Sequence, residues 1–491
     1  MEKVGIMGFL EEKSILVTGA TGFLGKLFVE KVLRVQPNVR RLYLLLRASD
    51  TLAAAERLWN EVLGKDLFRV LKEQHGEGFH SFISSKLIPV AGDVGEEGLG
   101  VETSSLREAL QSEIHVIVNS AATTRFDERY DVALRTNTFG AKHVMDFSKK
   151  CPKLEMLLHV STAYVSGEKT GMIFEKPFCM GETLNGLSVL SIEEECSVVS
   201  RRLKELDAAK STKMEERVAM RKLGMQRAKT FGWPNTYVFT KAMGEMLISQ
   251  VTGNLPIAIV RPAMVSTTCK EPFPGWIEGC RTFDSLIIAY AKGNLSSVFA
   301  NPRAIMDTVP GDLVINAMIS IMVYQLCQRH HLVYHVGSSS RNPLTFGMLA
   351  DYVYHYFLAN PPRRKDGRQI IQARGVTFYR SKMQFNLRVK LPFYLVCKGL
   401  NLANIASFHS ITSTNNNLKR VFKYLMRMAE LYEPFAFFKG TFDTQNTERV
   451  REATVEGCPD GKTFDFDVSN IDWEDYLVST HIPGLLRYEL K

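Results

Sequence analysis

Tyr237 and Lys241, within PNTYVFTKAMGEM, stand four residues apart. On a helix that spacing brings both side chains to one face, with an ammonium beside a phenol. A phenol titrates at about 10 in water and is a poor proton donor near neutrality. A nearby cation favours the phenolate, so Lys241 is expected to draw the Tyr237 pKa down. Upstream, the apolar run of LEMLLHVSTAYVSG ends in Ser161-Thr162. Counting back from Gly167 favours Thr162 as the hydroxyl that holds the oxygen accepting the same proton, with Ser161 the alternative. Hydroxyls also finish strands for capping reasons, and a lone Tyr-x-x-x-Lys is often an ordinary helix pair.

These residues need a partner, and Lys13 to Gly25, KSILVTGATGFLG, supplies one. The apolar run Ile15 to Val17 breaks into Thr18, Gly19, Gly22 and Gly25, and then into the helical pattern KLFVEKVLR. A strand, a glycine turn and a helix place backbone amides under a pyrophosphate, as in dinucleotide-binding folds. The spacing is GxxGxxG rather than GxGxxG.

The elements that must position this chemistry follow in order. RLYLLL, Arg41 to Leu46, reads as a second buried strand, followed by Arg47 with no carboxylate until Asp50. An acidic side chain there would select NAD, whereas a cation accepts the 2′-phosphate of NADP. The expectation is NADPH with Arg47 on the phosphate; a solvated strand-end arginine is the plain alternative. KLIPVAGDV is the third strand with Asp93 at its exit, and IHVIVNSAATTRFD the fourth. The Ser161-Thr162 run is the fifth, and LPIAIVRPAMV the sixth. Apolar strands alternating with helices predict a doubly wound parallel sheet. In MDTVPGDLVINAMI, Asp312 is expected to be structural, as a helix cap.

Composition is that of a globular protein of two or three domains: 491 residues, 45% hydrophobic and 23% charged. The net charge of +9 suits a phosphate-rich ligand, an anionic membrane or nucleic acid. No nucleic-acid motif accompanies it, so nucleic acid is not an expected partner. Eight scattered cysteines without a CxxC pair predict free thiols in a reducing compartment and no metal site. No signal peptide and no spanning helix is expected.

Taken together, the glycine turn, Ser161-Thr162 and Tyr237/Lys241 resemble the extended short-chain dehydrogenase/reductase superfamily. The resemblance implies a cofactor held by Thr18, Gly19, Thr21, Gly22, Phe23, Leu24 and Gly25, by Arg47, and by Asp93 and Val94. It also implies Asn119, Ala121, Thr123, Asn137 and Ser161, then Tyr237 and Lys241, and finally Arg261 and Pro262 beside the nicotinamide. Thr162, Tyr237 and Lys241 are the implied catalytic set.

Two departures from a minimal member narrow the substrate. An insertion at about residues 168–233 separates Thr162 from Tyr237, and its stretch 193–229 is charged and helix-like. Most of those charges should be a solvated face. Its cluster Arg201, Arg202, Lys204, Lys210, Lys213, Arg217, Arg221 and Lys222 is also suited to a polyphosphate. Residues 346–491 then form a smaller, mostly helical C-terminal domain after a reductase domain at 1–345. Its aromatic segments, KLPFYLVCKGLNLANIASF and NNLKRVFKYLMRMAELYEPFAFFKG, read as helical core, an acyl-chain tunnel or a membrane-resting surface.

The pairing of EPFPGWIEG with YEPFAFFKGTFDTQNT and DVSNIDWEDYLVSTHIPGL resembles the alcohol-forming fatty acyl-CoA reductases, the plant enzymes in particular. The resemblance runs nearly the whole chain, with no key position departing. It implies NADPH-dependent reduction of a long-chain acyl-CoA to a primary alcohol, through an aldehyde, with release of CoA. It also implies wax or lipid-polymer synthesis at the cytoplasmic face of the endoplasmic reticulum, with peripheral membrane association. The oligomeric state is not legible. An aldehyde-forming reductase, a nucleotide-sugar epimerase or dehydratase, and a silent NADPH-binding scaffold are the rival readings.

Overall fold

A computed structural model describes residues 5–250, 255–326, 332–362, 369–370, 375–406 and 412–490. Seven parallel strands form one sheet: β1 (Ser14–Thr18), β2 (Arg41–Leu46), β3 (Leu87–Ala91), β4 (Val116–Asn119), β5 (Met156–Val160), β6 (Ile257–Pro262) and β7 (Leu332–Val336). Their order is β7-β6-β5-β4-β1-β2-β3. The chain therefore reverses direction across the sheet between β1 and β4, the switch point at which doubly wound folds bind nucleotides. All residues of β1, β4, β5 and β6 are buried, as expected for strands covered by helices on both faces.

Helix α1 (Phe23–Val35) follows the glycine turn. Its N-cap is Gly22, which makes no side-chain capping bond, so the first-turn amides stay available. The charged stretch is two helices, not one: α2 (Ile192–Ala208) and α3 (Lys213–Thr230). Lys210, at φ 51°, turns the chain between them. A Thr212–Glu215 capping box then restarts helix. Asn235 caps α4 (Thr236–Ser249), its Oδ1 accepting from Val238 N at 3.1 Å.

Helix α5 (Gly311–Gln325) is buried against α1 and the sheet. Asp312 does not cap it, since Pro310 holds that position. Its carboxylate instead accepts from the amides of Cys269, Lys270 and Glu271 at 2.8–3.0 Å and pins that loop.

The C-terminal region is mostly helical, with α6 (Phe346–Ala359), α7 (Leu391–Ala406), α8 (Thr412–Ala436) and α9 (Gln445–Gly457). Two short strands tie it back, Thr377–Tyr379 on Ser297–Phe299 and Gly440–Phe442 on Gly171–Ile173. Phe464, Trp473, Tyr476 and Leu485 share one hydrophobic core with Val17, Phe28 and Met318. The tail also braces the loop after β6: Tyr476 Oη lies 2.7 Å from Ser266 Oγ and 2.9 Å from Thr267 Oγ1. That loop carries Trp276, which stacks on Phe23 at 5.1 Å between ring centroids. Among the described residues no helix is long and apolar enough to cross a membrane.

Candidate active site

The glycine turn is shaped by close backbone approach. Gly19 adopts φ 71°, and a Cβ there would lie 2.7 Å from Ala121 N. A Cβ on Gly25 would lie 2.3 Å from the Gly19 carbonyl oxygen. A side chain at either position would collide with neighbouring backbone, so glycine is what lets the turn close this tightly. Thr21 and Leu24 lie half-buried beside it. Arg47 projects into solvent at the end of β2, and among the described residues its guanidinium has no ion-pair partner. A cradle of free amides with an unpaired arginine at the next strand end fits a dinucleotide carrying a 2′-phosphate.

Behind the turn, three strand ends lie in register: Thr18 opposite Asn119, and Asn119 opposite His159. The residues are buried and hydrogen-bonded in a row. Ala121 N donates to Thr18 Oγ1 at 3.1 Å, and Thr18 Oγ1 donates to Asn119 Oδ1 at 2.7 Å. Asn119 Nδ2 meets His159 Nδ1 at 3.0 Å, and His159 Nε2 lies 3.4 Å from Lys241 Nζ. Thr18 and Asn119 thus serve the sheet edge rather than presenting free polar groups. Asn137 is similar: its amide bonds Thr123 N, Thr123 O and Thr240 Oγ1 and fixes the loop after β4.

Asp93 accepts from Gly95 N at 2.9 Å and pairs with Arg135 at 2.7 Å. Buried Val94 packs under Gly140. Arg261, expected beside the nicotinamide, points its guanidinium into the scaffold. It is buried, its Nε donates to Glu245 at 3.0 Å, and its Nη2 donates to the Lys176 carbonyl at 3.0 Å. Nη1 lies 3.3 Å from His335 Nε2. Its charge is spent inside the scaffold. The neighbouring Pro262 carbonyl lies 3.4 Å from Thr162 Oγ1.

Thr162 and Tyr237 do meet. The Thr162 hydroxyl lies beside the Tyr237 phenol and favours its ionised form, while among the described residues the Ser161 hydroxyl is buried without a partner. Burial pushes the Tyr237 pKa up to about 12, with Arg281 and then the Thr162 hydroxyl pulling the other way. The expected lowering by Lys241 is not found. Its Nζ donates to the Val160 carbonyl at 2.7 Å, and burial brings the amine down to about 8. Burial, then the Lys241 charge, holds His159 far below the usual histidine range, so its ring is neutral.

Aromatic side chains from distant segments close the site. Phe126 stacks on Tyr237 at 6.2 Å. Tyr432 and Phe435 of α8 pack on Phe126 at 5.5 and 5.1 Å, and Tyr164 meets Phe435 edge-on at 5.1 Å.

Known proteins match along the whole chain. Two family models, each described as male sterility protein, match residues 17–318 and 397–491, the first of them an NAD-binding model. The chain is 47% identical to the alcohol-forming fatty acyl-CoA reductase of Simmondsia chinensis over 100% of both chains. It is 47% identical to fatty acyl-CoA reductase 1 of Arabidopsis thaliana over 98% of each. The chain belongs to the fatty acyl-CoA reductase family. A Bos taurus fatty acyl-CoA reductase 2 is 28% identical over 99% of this chain and 86% of its own.

Solved structures share the family's fold at low identity. The terminal R domain of the myxalamid PKS-NRPS pathway superposes with a TM-score of 0.56 at 16% identity, covering 97% of this chain and 91% of that one. A reductase domain of a Mycobacterium tuberculosis non-ribosomal peptide synthetase gives 0.57 at 17%, covering 97% and 92%.

Three residues at this family member's site escaped sequence reasoning: His159, Phe126 and Arg281. His159 had a signal, as the one ionisable side chain in the apolar run of β5. Phe126 and Arg281 had none, because their relation to Tyr237 depends on loops meeting in space.

Proposed function

We propose that this chain reduces a long-chain fatty acyl-CoA to a primary fatty alcohol, consuming two NADPH and releasing CoA. One observation carries the reading. Thr162 and Tyr237 meet beneath an aromatic wall that includes α8, in a chain matching an alcohol-forming reductase from end to end. NADPH, when bound, supplies hydride to the thioester carbon and later to the aldehyde carbon.

The protein's own residues do the rest. The glycine-turn amides and the N-terminus of α1 hold the pyrophosphate, and Arg47 selects the 2′-phosphate. The carbonyl oxygen accepts hydrogen bonds from Tyr237 and Thr162, which stabilise it as negative charge develops. Collapse of the hemithioacetal expels CoA thiolate. Tyr237 then gives its proton to the alkoxide formed from the aldehyde. A phenol near 12 stays protonated at neutral pH, and the alkoxide, more basic than a phenolate, takes that proton. The Phe126, Tyr432 and Phe435 rings form an apolar surface suited to the first carbons of an acyl chain.

The reading includes peripheral attachment at the cytoplasmic face of the endoplasmic reticulum. Supporting it, Met383, Leu387, Leu391 and Leu395 recur every fourth residue with exposed side chains, and Arg388, Lys390 and Lys398 lie among them. Flotation with anionic vesicles tests this, and loss of binding in a Leu387→Glu/Leu395→Glu variant is expected.

The function is tested by stoichiometry with purified protein and a long-chain acyl-CoA. Two NADPH per CoA released, with fatty alcohol as product, is expected. One NADPH per CoA with aldehyde accumulating makes the enzyme aldehyde-forming. Tyr237→Phe should lower kcat by roughly 100- to 10,000-fold, the usual worth of a general acid.

A further inference from the structure

We propose that Arg125, Arg217 and Arg221 form the binding site for the phosphate groups of the substrate's CoA moiety, which rests on the acyl-CoA reading above. The site lies beside Tyr237 and is assembled from two segments. Arg217 and Arg221 are one turn apart on α3, and Gly224 follows on the same face. Gly224 packs so closely on α4 that a Cβ would lie 2.7 Å from Thr236 Oγ1, one residue before Tyr237. The second segment is the loop after β4. Thr236 N holds the Phe126 carbonyl at 3.0 Å, so Arg125 sits at the start of the catalytic helix, next to the ring stacked on Tyr237.

Ion pairing separates this trio from the arginines Arg129, Arg227, Arg427 and Arg202. Arg129 pairs with Asp131 and Glu216, Arg227 with Glu195, and Arg427 with Asp127. Arg202, in the same charged stretch, pairs with Glu205. Among the described residues the one ion pair of Arg125, Arg217 and Arg221 is Arg125 with Glu128, 3.9 Å from Arg125 Nη1, and Glu128 also acts on Arg221. The Arg221 Nε is buried and among the described residues has no hydrogen-bond partner. Burial and the charges of Arg217 and Arg125 lower the Arg221 pKa, with Glu128 opposing them. Three guanidinium groups sharing one carboxylate leave a net positive site with a desolvated donor unused. A diphosphate or phosphomonoester supplies the missing charge and acceptors.

The placement matches the substrate's own anatomy. A CoA thioester carries its reactive carbonyl at one end of a neutral pantetheine arm and its phosphates at the other. The site supplies Tyr237 for the first and arginines at the rim for the second. The rest of the basic cluster of α2 and α3 is not needed.

The test uses the full-length chain, with Arg217→Gln, Arg221→Gln and the double variant. Each is assayed with a long-chain acyl-CoA and with the corresponding acyl-pantetheine, which lacks the nucleotide. KM for acyl-CoA should rise about tenfold per arginine, the equivalent of one charge-assisted contact, while KM for acyl-pantetheine stays within twofold. Arg221→Lys, which keeps the charge, should recover part of the loss. Wild-type KM for acyl-CoA should climb with ionic strength, and the double variant should flatten that slope. An equal rise for both thioesters, or no rise for either, overturns the proposal. If the wild type turns over neither thioester, the acyl-CoA reading fails. Calorimetry with free CoA then decides the site alone: binding by wild type and loss in the double variant supports it, and equal binding overturns it.

Discussion

Lys241 Nζ lies 3.4 Å from His159 Nε2 while it donates to the Val160 carbonyl at 2.7 Å, so the lysine proposed for catalysis packs against a buried neutral imidazole. His159 links it, through Asn119, to Thr18 at the root of the glycine turn. His159 is a positioning residue on this geometry. His159→Leu removes the acceptor for the Asn119 amide and leaves that donor buried and unpaired, a cost of about 1–3 kcal/mol. We expect lower thermal stability together with at least a tenfold fall in kcat. His159→Gln, which retains polar atoms near both neighbours, should recover most of kcat. Stability loss without any kcat difference between Leu and Gln would reduce His159 to a core residue.

The same pair sets a pH dependence. Burial brings Lys241 to about 8, so its ammonium form is lost as pH rises through that value. Tyr237, at about 12, keeps its proton over the same range. If the ammonium orients the cofactor, kcat/KM should fall above about pH 8, with no further limb from tyrosine below pH 11. A rate that stays flat to pH 10 would remove Lys241's charge from the mechanism.

Arg47 gives a cofactor prediction with a readout besides turnover. It is exposed and unpaired among the described residues, so Arg47→Ala disturbs no internal contact. Losing its contact with a 2′-phosphate should weaken NADPH binding by about ten- to a hundredfold, measured by cofactor fluorescence. NADH binding should change little. Equal weakening of both would assign Arg47 to the scaffold.

Much of the fold is legible in the sequence, for identifiable reasons. Strands buried on both faces write themselves as apolar runs, and the glycine turn is recognisable because only glycine permits its contacts. Pairwise relations across the fold were not legible. Arg261-Pro262-Ala263 ends a strand where a cofactor loop is expected, yet Glu245 and His335 take up the arginine's charge. The Tyr237–Lys241 spacing correctly implied a shared helix, but not that the Val160 carbonyl at the end of β5 would take up the lysine's Nζ. Of the basic cluster, spacing along the chain could not separate Arg202, which has Glu205, from Arg221, which has no such partner.

The two motifs paired by resemblance also touch. A Cβ on Gly484 would lie 2.0 Å from the Gly275 carbonyl oxygen, so HIPGL closes directly on the PGW turn. That turn carries Trp276 onto Phe23, at the start of α1. Gly484→Ala cannot be absorbed by a side-chain rotation, because the clash is with backbone. We expect destabilisation of about 1–3 kcal/mol, the range of an overpacked core site. NADPH affinity should fall along with stability, because Phe23 loses its support. If stability falls while NADPH affinity is unchanged, the tail is a brace for the core and has no bearing on the glycine turn.

Glu175 ties the inserted segment to the C-terminal region and supplies a second pH test. Its carboxylate accepts from His335 N at 2.7 Å, Asn446 N at 2.5 Å and Thr447 Oγ1 at 3.1 Å. Burial outweighs these bonds and raises it from 4.5 to about 7. A carboxyl group raised on folding stabilises the protein while protonated, and that contribution is lost as pH climbs from about 4.5 through 7. Wild-type stability relative to Glu175→Gln, from paired denaturant titrations, should therefore decline between pH 5 and pH 8. A relative stability that rises over that interval would mean the three donors hold Glu175 ionised, and that burial is the weaker influence at this junction.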